Sequence, residues 1–119
     1  MALHDKNRKI LERIIYYCDK LDAAQKRFGR SLDALRDDYD YFSACSNYFI
    51  QIGELSSHLT SDFRDKHTGI PWRLVKDMRN WFAHDYENIN YEETWRTLQE
   101  DMPALKAYCQ KILRTEYDG

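Results

Sequence analysis

The stretch FSACSNYFIQIGELSSHL, residues 42–59, decides the fold. Phe42, Cys45, Tyr48, Ile52, Leu55 and Leu59 return at three- and four-residue steps, with Phe49 beside Tyr48, which winds them onto one face of a helix. Glu54 lies off that face. Gly53 sits in the helix interior, where it costs propensity, and its place there predicts a close approach by another backbone.

Upstream, the same helical region starts near residue 31, with a break where charge crowds at residues 37–40. Before it, residues 5–28 place Ile10, Leu11, Ile14, Ile15, Cys18 and Leu21 on one stripe, with Asp5 as N-cap and Gly29 as terminator. Downstream, residues 60–69 hold a short helix around residues 62–66 and then a turn. Ile70-Pro71-Trp72 reads as a helix entrance, since proline's missing N–H costs nothing at the first helical position. The helix it opens runs from Pro71 to about His84 or Tyr86. Asn90 with Glu93 three residues on forms a capping box and opens a last helix. That helix runs through Trp95, Leu98, Leu105, Cys109, Ile112 and Leu113, kinked or broken near Pro103. The expected architecture is all-α, an antiparallel bundle of four or five helices in a single domain spanning residues 1–119.

Composition narrows the function classes. An apolar fraction of 43%, with 14% aromatics, is too rich for a disordered chain. Eighteen Lys and Arg against 20 Asp and Glu give a net charge of −2, which argues against a domain that coats nucleic acid by bulk charge. A local basic groove stays open. The longest apolar run, about residues 14–18, is far short of a membrane span, and the charged N-terminus does not read as a secretory signal. Cys18, Cys45 and Cys109 form no C-x-x-C pair and fall on helical stripes, so they read as small core residues in a reducing cytoplasm. His4, His58 and His67 lack metal-ligand spacing, and no cofactor is implied.

Chemistry concentrates in RNWFAHDY, residues 79–86. A guanidinium, an amide, an imidazole and a phenol share one helix end. Arg79 and Tyr86, seven residues apart, share a face, whereas His84 stands about 140° around from Arg79. A long arginine could bridge that gap, the helix could loosen at His84, or a second copy of the chain could complete the site. Taken alone, Arg79 and His84 also fit a surface arginine and a helix-end histidine. Tyr86 alone fits a half-buried amphipathic residue. Trp72, Trp81, Phe82 and Trp95 read as packing or interface aromatics, with no base-stacking platform in their spacing.

The blocks around this motif resemble the HepT-like branch of the HEPN superfamily, whose motif is R-x4-H-x-Y. Ile52-Gly53-Glu54 matches its I-G-E segment. Ile70-Pro71-Trp72-Arg73 with Met78-Arg79-Asn80 matches its I-P-W…R-N block. His84-Asp85-Tyr86, Trp95 and Pro103-x-Leu105 follow in order. The resemblance covers roughly residues 48–113, and the first helix fits only by length and character.

The resemblance implies a homodimeric HEPN bundle whose motif helices face each other, acting as a metal-independent endoribonuclease toxin. His84 would handle the proton of the RNA 2′-hydroxyl or of the leaving oxygen. Arg79 would hold the scissile phosphate, with Asn80 helping to position it. The product would be a 2′,3′-cyclic phosphate, which DNA cannot form. The implied partner is a minimal nucleotidyltransferase antitoxin that transfers AMP onto Tyr86 and so silences the ribonuclease. Arg73 and Lys76 recur with Arg79 every third residue, a candidate RNA-facing groove or an ordinary solvated face. Glu54 is either solvated or a supporting contact to Arg79. The rival reading is a non-catalytic helical scaffold that binds the transferase or a nucleotide. An ordinary structural dimer is a further alternative.

Overall fold

The helices break where the chain supplies caps. Gly29 adopts φ +119°, open to a residue without Cβ, and its N–H donates to the Gln25 carbonyl at 2.9 Å, closing α1 (Leu3–Phe28). Ser31 Oγ accepts from the Ala34 N–H at 3.1 Å and opens α2 (Leu32–Asp37). The Asp38 carboxylate accepts from the N–H groups of Asp40 and Tyr41, at 3.0 and 3.4 Å, and opens α3 (Tyr39–Ser57). Thr60 Oγ1 accepts from Phe63 at 3.2 Å and opens α4 (Ser61–Lys66). The Pro71 carbonyl accepts from Val75 at the start of α5 (Trp72–His84). Asn90 Oδ1 accepts from Glu93 at 3.1 Å and opens α6 (Tyr91–Arg96). This computed structural model describes residues 3–84 and 86–117, and the side chains of residues 6–84 and 87–117.

Three local expectations change. The first helix starts at Leu3, so Asp5 falls inside its first turn rather than capping it, and the Asp5 side chain lies outside the described residues. Only half of the Asn90–Glu93 capping box forms, because Arg96 Nε draws the Glu93 carboxylate to itself at 3.3 Å. The last helix does not stop at Pro103 but changes winding just ahead of it. It passes from α6 through a π-helical segment (Thr97–Asp101) into α7 (Met102–Ile112), then ends in a second π segment (Leu113–Tyr117). The wide turn just ahead of Pro103 absorbs the missing N–H.

Four long helical runs (α1, α3, α5 and the α6–α7 run) build the bundle, with α2 and α4 as short links; no strand occurs among the described residues. Side-chain pairs fix the directions. Asn7 bonds Thr60, the Tyr17 ring meets Tyr48, and Phe28 stacks on Tyr41, so α1 and α3 run antiparallel. Gln25 meets Gln99 and Asp19 meets Lys106, which makes α1 and α7 antiparallel as well. α3 packs on α1 and on α5. Leu11, Ile14, Leu21, Tyr41, Phe49, Ile52, Leu98 and Leu105 are fully enclosed. Each large apolar side chain so placed contributes about 1.5–3 kcal/mol. Cys18, Cys45 and Cys109 are free and buried, and burial pushes each thiol up to about 12. These cysteines act as core residues, as their spacing indicates. No helix among the described residues is long and apolar enough to cross a membrane.

The start of α5 is tied down from outside its own sequence. Trp72 Nε1 donates to the His67 carbonyl at 2.7 Å, and the Gly69 N–H donates to Tyr108 Oη at 3.0 Å. Glu116, in the last turn of the chain, pairs with Lys66 Nζ at 2.6 Å and with the His67 ring. Its carboxyl is held below its ordinary value, chiefly by the Lys66 hydrogen bond and then by His67. The long-range role of His67 has no signature in local spacing.

The decisive contact is the crossing of α3 and α5. A Cβ added at Gly53 would stand 2.7 Å from the Arg79 backbone nitrogen and 3.1 Å from the Val75 carbonyl oxygen. The expected close approach is therefore present, and α5 is the backbone that makes it. Phe49 stacks on Phe82 beside the crossing, with ring centroids 4.7 Å apart. Because the neighbour at 2.7 Å is backbone, Gly53→Ala should force the helices apart and cost about 1–3 kcal/mol in urea unfolding. Unchanged stability would show that the crossing is looser than drawn.

Candidate active site

Helix crossing at Gly53 delivers Arg79 to the next residue of α3. Arg79 Nε pairs with Glu54 Oε2 at 2.6 Å, and Arg79 Nη1 donates to Asn80 Oδ1 at 3.3 Å. The other carboxylate oxygen, Glu54 Oε1, lies 3.2 Å from His58 Nε2. Each Glu54 oxygen thus has its own partner, and the carboxylate plane is set from both sides. Of the five guanidinium N–H groups, one bonds Asn80 and the Nε–H stands against the Glu54 carboxylate, leaving three for an anion. Both Arg79 and Glu54 are about half exposed, at 47% and 46%, so the pair adds little to stability. Its value is orientation of the fork.

His84 is the last residue of α5 and is exposed. The helix stays regular through His84, so it does not loosen there. Arg79 and His84 therefore stand about 140° apart and about 7.5 Å apart along the axis. Between them on the same outer arc come Lys76, Asn80 and Arg73, all exposed. Within one chain the structure brings Arg79, Asn80 and Glu54 together, and does not bring His84 to them. Tyr86 opens a short 3-10 turn (Tyr86–Asn88), while its side chain and the whole of Asp85 lie outside the described residues.

The aromatics divide in two. Trp72 and Phe82 are buried and Trp95 is half-buried against the core, whereas Trp81 is 47% exposed. Trp81 and Leu74, 53% exposed, are seven residues apart on α5 and border a groove of about 570 Å³ between α5 and α6. Among the described residues, no group of three or more His, Cys, Asp or Glu side chains is placed to hold a metal ion. His58 is the site neighbour missed by the sequence reading. Its signal was the four-residue step from Glu54, which stacks the two on one helix face.

Comparison with known proteins now bears on the site. The sequence model of the family described as ribonuclease HepT-like matches residues 14–112, which extends the likeness back into α1. A candidate RNase of Caldanaerobacter subterraneus subsp. tengcongensis, TTE0752, is 31% identical over 92% of this chain and 96% of its own length. A candidate ribonuclease HepT of Thermococcus cleftensis is 38% identical over 51% of this chain and 56% of its own. A candidate RNase of Methanocaldococcus jannaschii, MJ1380, is 33% identical over 58% of this chain and 72% of its own. No solved structure matches the chain significantly.

The Glu54 contact can be measured directly. In Glu54→Gln the ion pair is lost and the guanidinium faces only a neutral amide, a weaker partner. The Arg79 Nε–H signal in NMR should then exchange faster with water than in the unaltered protein. Equal exchange in both would mean that Glu54 does not hold the guanidinium in solution.

Proposed function

Because the chain belongs to the ribonuclease HepT-like family, we propose that it is a homodimeric endoribonuclease toxin silenced by a nucleotidyltransferase antitoxin. The observation that carries this reading is the guanidinium of Arg79, clamped by Glu54 and Asn80 with three N–H groups still free to take a phosphate.

Arg79 binds the non-bridging oxygens of the scissile phosphate and neutralises the charge that grows on them as phosphorus becomes five-coordinate. The 2′-oxygen attacks phosphorus, the bond to the 5′-oxygen breaks, and a 2′,3′-cyclic phosphate forms. One proton leaves the 2′-hydroxyl and one reaches the 5′-oxygen. Histidine, with an ordinary pKa near 6.5, performs either transfer at neutral pH. No metal enters this scheme. Two copies with facing α5 helices supply two imidazoles, and pair His84 of one with Arg79 of the other. That arrangement removes the angular separation within one chain. Exposed Leu74 and Trp81 on α5 support such a pairing. Asn80 positions the phosphate, Glu54 orients Arg79, and Arg73 with Lys76 hold neighbouring phosphates.

Tyr86 is the point of control. Its place two residues past His84 puts an added AMP where RNA phosphate must sit, so bulk and negative charge both oppose substrate.

Two experiments test the reading. Expression of the unaltered protein should slow growth and generate RNA ends with cyclic phosphates, and His84→Ala should abolish both. The loss of a proton-transfer group lowers the cleavage rate by about 10²–10⁴-fold. Equal growth with no new ends in either strain would favour a scaffold that binds the transferase without cutting RNA. Co-expression with the transferase should raise the intact mass by whole AMP units, and Tyr86→Phe should prevent the gain. The same gain on Tyr86→Phe would place the modification elsewhere.

A further inference from the structure

Helix α1 carries a second charged feature away from α5. At about 100° per residue, Lys6, Lys9, Arg13, Tyr16, Lys20 and Arg27 fall within a stripe about 80° wide and about 31 Å long. All six are exposed. Of the acidic residues, Glu12 lies about 40° from the stripe, and Asp19 and Asp22 stand farther round the helix.

Those acids are largely spent on other partners. Asp19 pairs with Lys106 at 2.5 Å, and Asp22 with Lys26 at 3.1 Å and Arg30 at 3.0 Å. The Asp22 carboxyl is held below its ordinary value by hydrogen bonds from Arg30 and then Lys26. Among the described residues, no carboxylate pairs with Lys6, Lys9, Arg13, Lys20 or Arg27. The stripe's contacts are aromatic instead. The Arg13 guanidinium lies 5.0 Å from the Tyr16 ring centre and 5.3 Å from that of Tyr17, and it donates to Tyr17 Oη at 3.1 Å. Lys20 Nζ lies 5.2 Å from the same Tyr16 ring. Unpaired cations interleaved with an exposed ring suit phosphates and stacked bases.

Position ties this stripe to Arg79. Tyr17 meets Tyr48 of α3 at 6.0 Å, so the basic edge of α1 borders α3. The exposed arc of α3 then leads across to Glu54, which meets Arg79. Between residues 43 and 58 Glu54 is the sole acidic residue of α3, so little negative charge interrupts the path. Tyr16 is the one large apolar side chain exposed on the described part of α1, too little to anchor the helix in lipid.

We propose that the α1 stripe is an RNA-binding track that holds the single strand flanking the scissile phosphate. The choice of RNA as the polyanion rests on the ribonuclease reading, whereas the test below rests on binding. A non-cleaving His84→Ala protein is titrated with a labelled single-stranded 20-mer RNA and with a 4-mer, from low to moderate salt. Adding Lys9→Ala, Arg13→Ala and Lys20→Ala should weaken the 20-mer by about tenfold or more and lower the log–log salt slope by about 2. Binding of the 4-mer should not change. Glu12→Gln, which removes a charge beside the track, should tighten the 20-mer. Unchanged affinity and slope for the 20-mer overturn the proposal. So does a stripe whose loss spares RNA but abolishes binding to vesicles of phosphatidylserine and phosphatidylcholine. Stripe-dependent RNA binding in a protein that cuts nothing would uphold the track and refute the ribonuclease. Cleavage of long RNA at full rate by a protein with His84 intact and the three stripe substitutions would do the reverse.

Discussion

The absence of a side chain at Gly53 is the condition on which the rest of the molecule depends. It lets the backbones of α3 and α5 meet at Arg79, at a spacing that even a methyl group would prevent. That proximity places the next residue, Glu54, within 2.6 Å of the arginine that carries the chemistry. Helix packing and site geometry are therefore one fact. The aromatic stack of Phe49 on Phe82 holds the crossing shut from the core side. The ties at His67, Tyr108 and Glu116 fix the other end of α5. With both ends of the helix held, the outer arc from Arg79 to His84 is presented as a rigid strip.

Much of this arrangement is legible in the sequence because it is written in local periodicity. The apolar steps of residues 42–59 identify α3, and Gly53 within them announces the contact it makes. Gly29, Ser31, Asp38, Thr60 and Asn90 all act through hydrogen bonds within four residues of themselves, so their meaning is available before folding. What could not be read is what depends on distant partners. The bond between His67 and Glu116 spans 49 residues, and nothing in either neighbourhood announces it. Arg96 competes with the Asn90 backbone for the Glu93 carboxylate, and spacing alone does not rank a full cation against a backbone N–H.

The site was legible to a different degree. Arg79, Asn80 and His84 stand out by type and spacing, yet the angle between Arg79 and His84 follows from helix geometry and survives in the structure. A single chain holds an arginine clamp and a histidine that face different ways. Glu54 was readable as a neighbour only through its place beside Gly53. His58 lacks metal-ligand spacing, and its contact is with that carboxylate. Charge behaves similarly. A net value of −2 describes the whole chain and hides a long basic edge whose acidic neighbours are neutralised elsewhere.

The π segment at Thr97–Asp101 changes how the last helix should be counted. Thr94, Leu98 and Met102 are buried at four-residue intervals, and in an ordinary α-helix such steps advance the buried line by about 40° each. Met102, Leu105, Cys109 and Ile112 then keep alternating steps of three and four. The wide turn takes back the phase that the first half accumulates, like a vernier between two scales. Residues 91–112 thus form one continuous helical run with two registers, one indexed to α2 and one to α1. A length change of one residue within the wide turn shifts the phase between registers without disturbing the order inside either. One register then turns by about 100° against the helix it packs on, so a residue cannot be gained or lost there without moving buried side chains such as Leu98 and Met102.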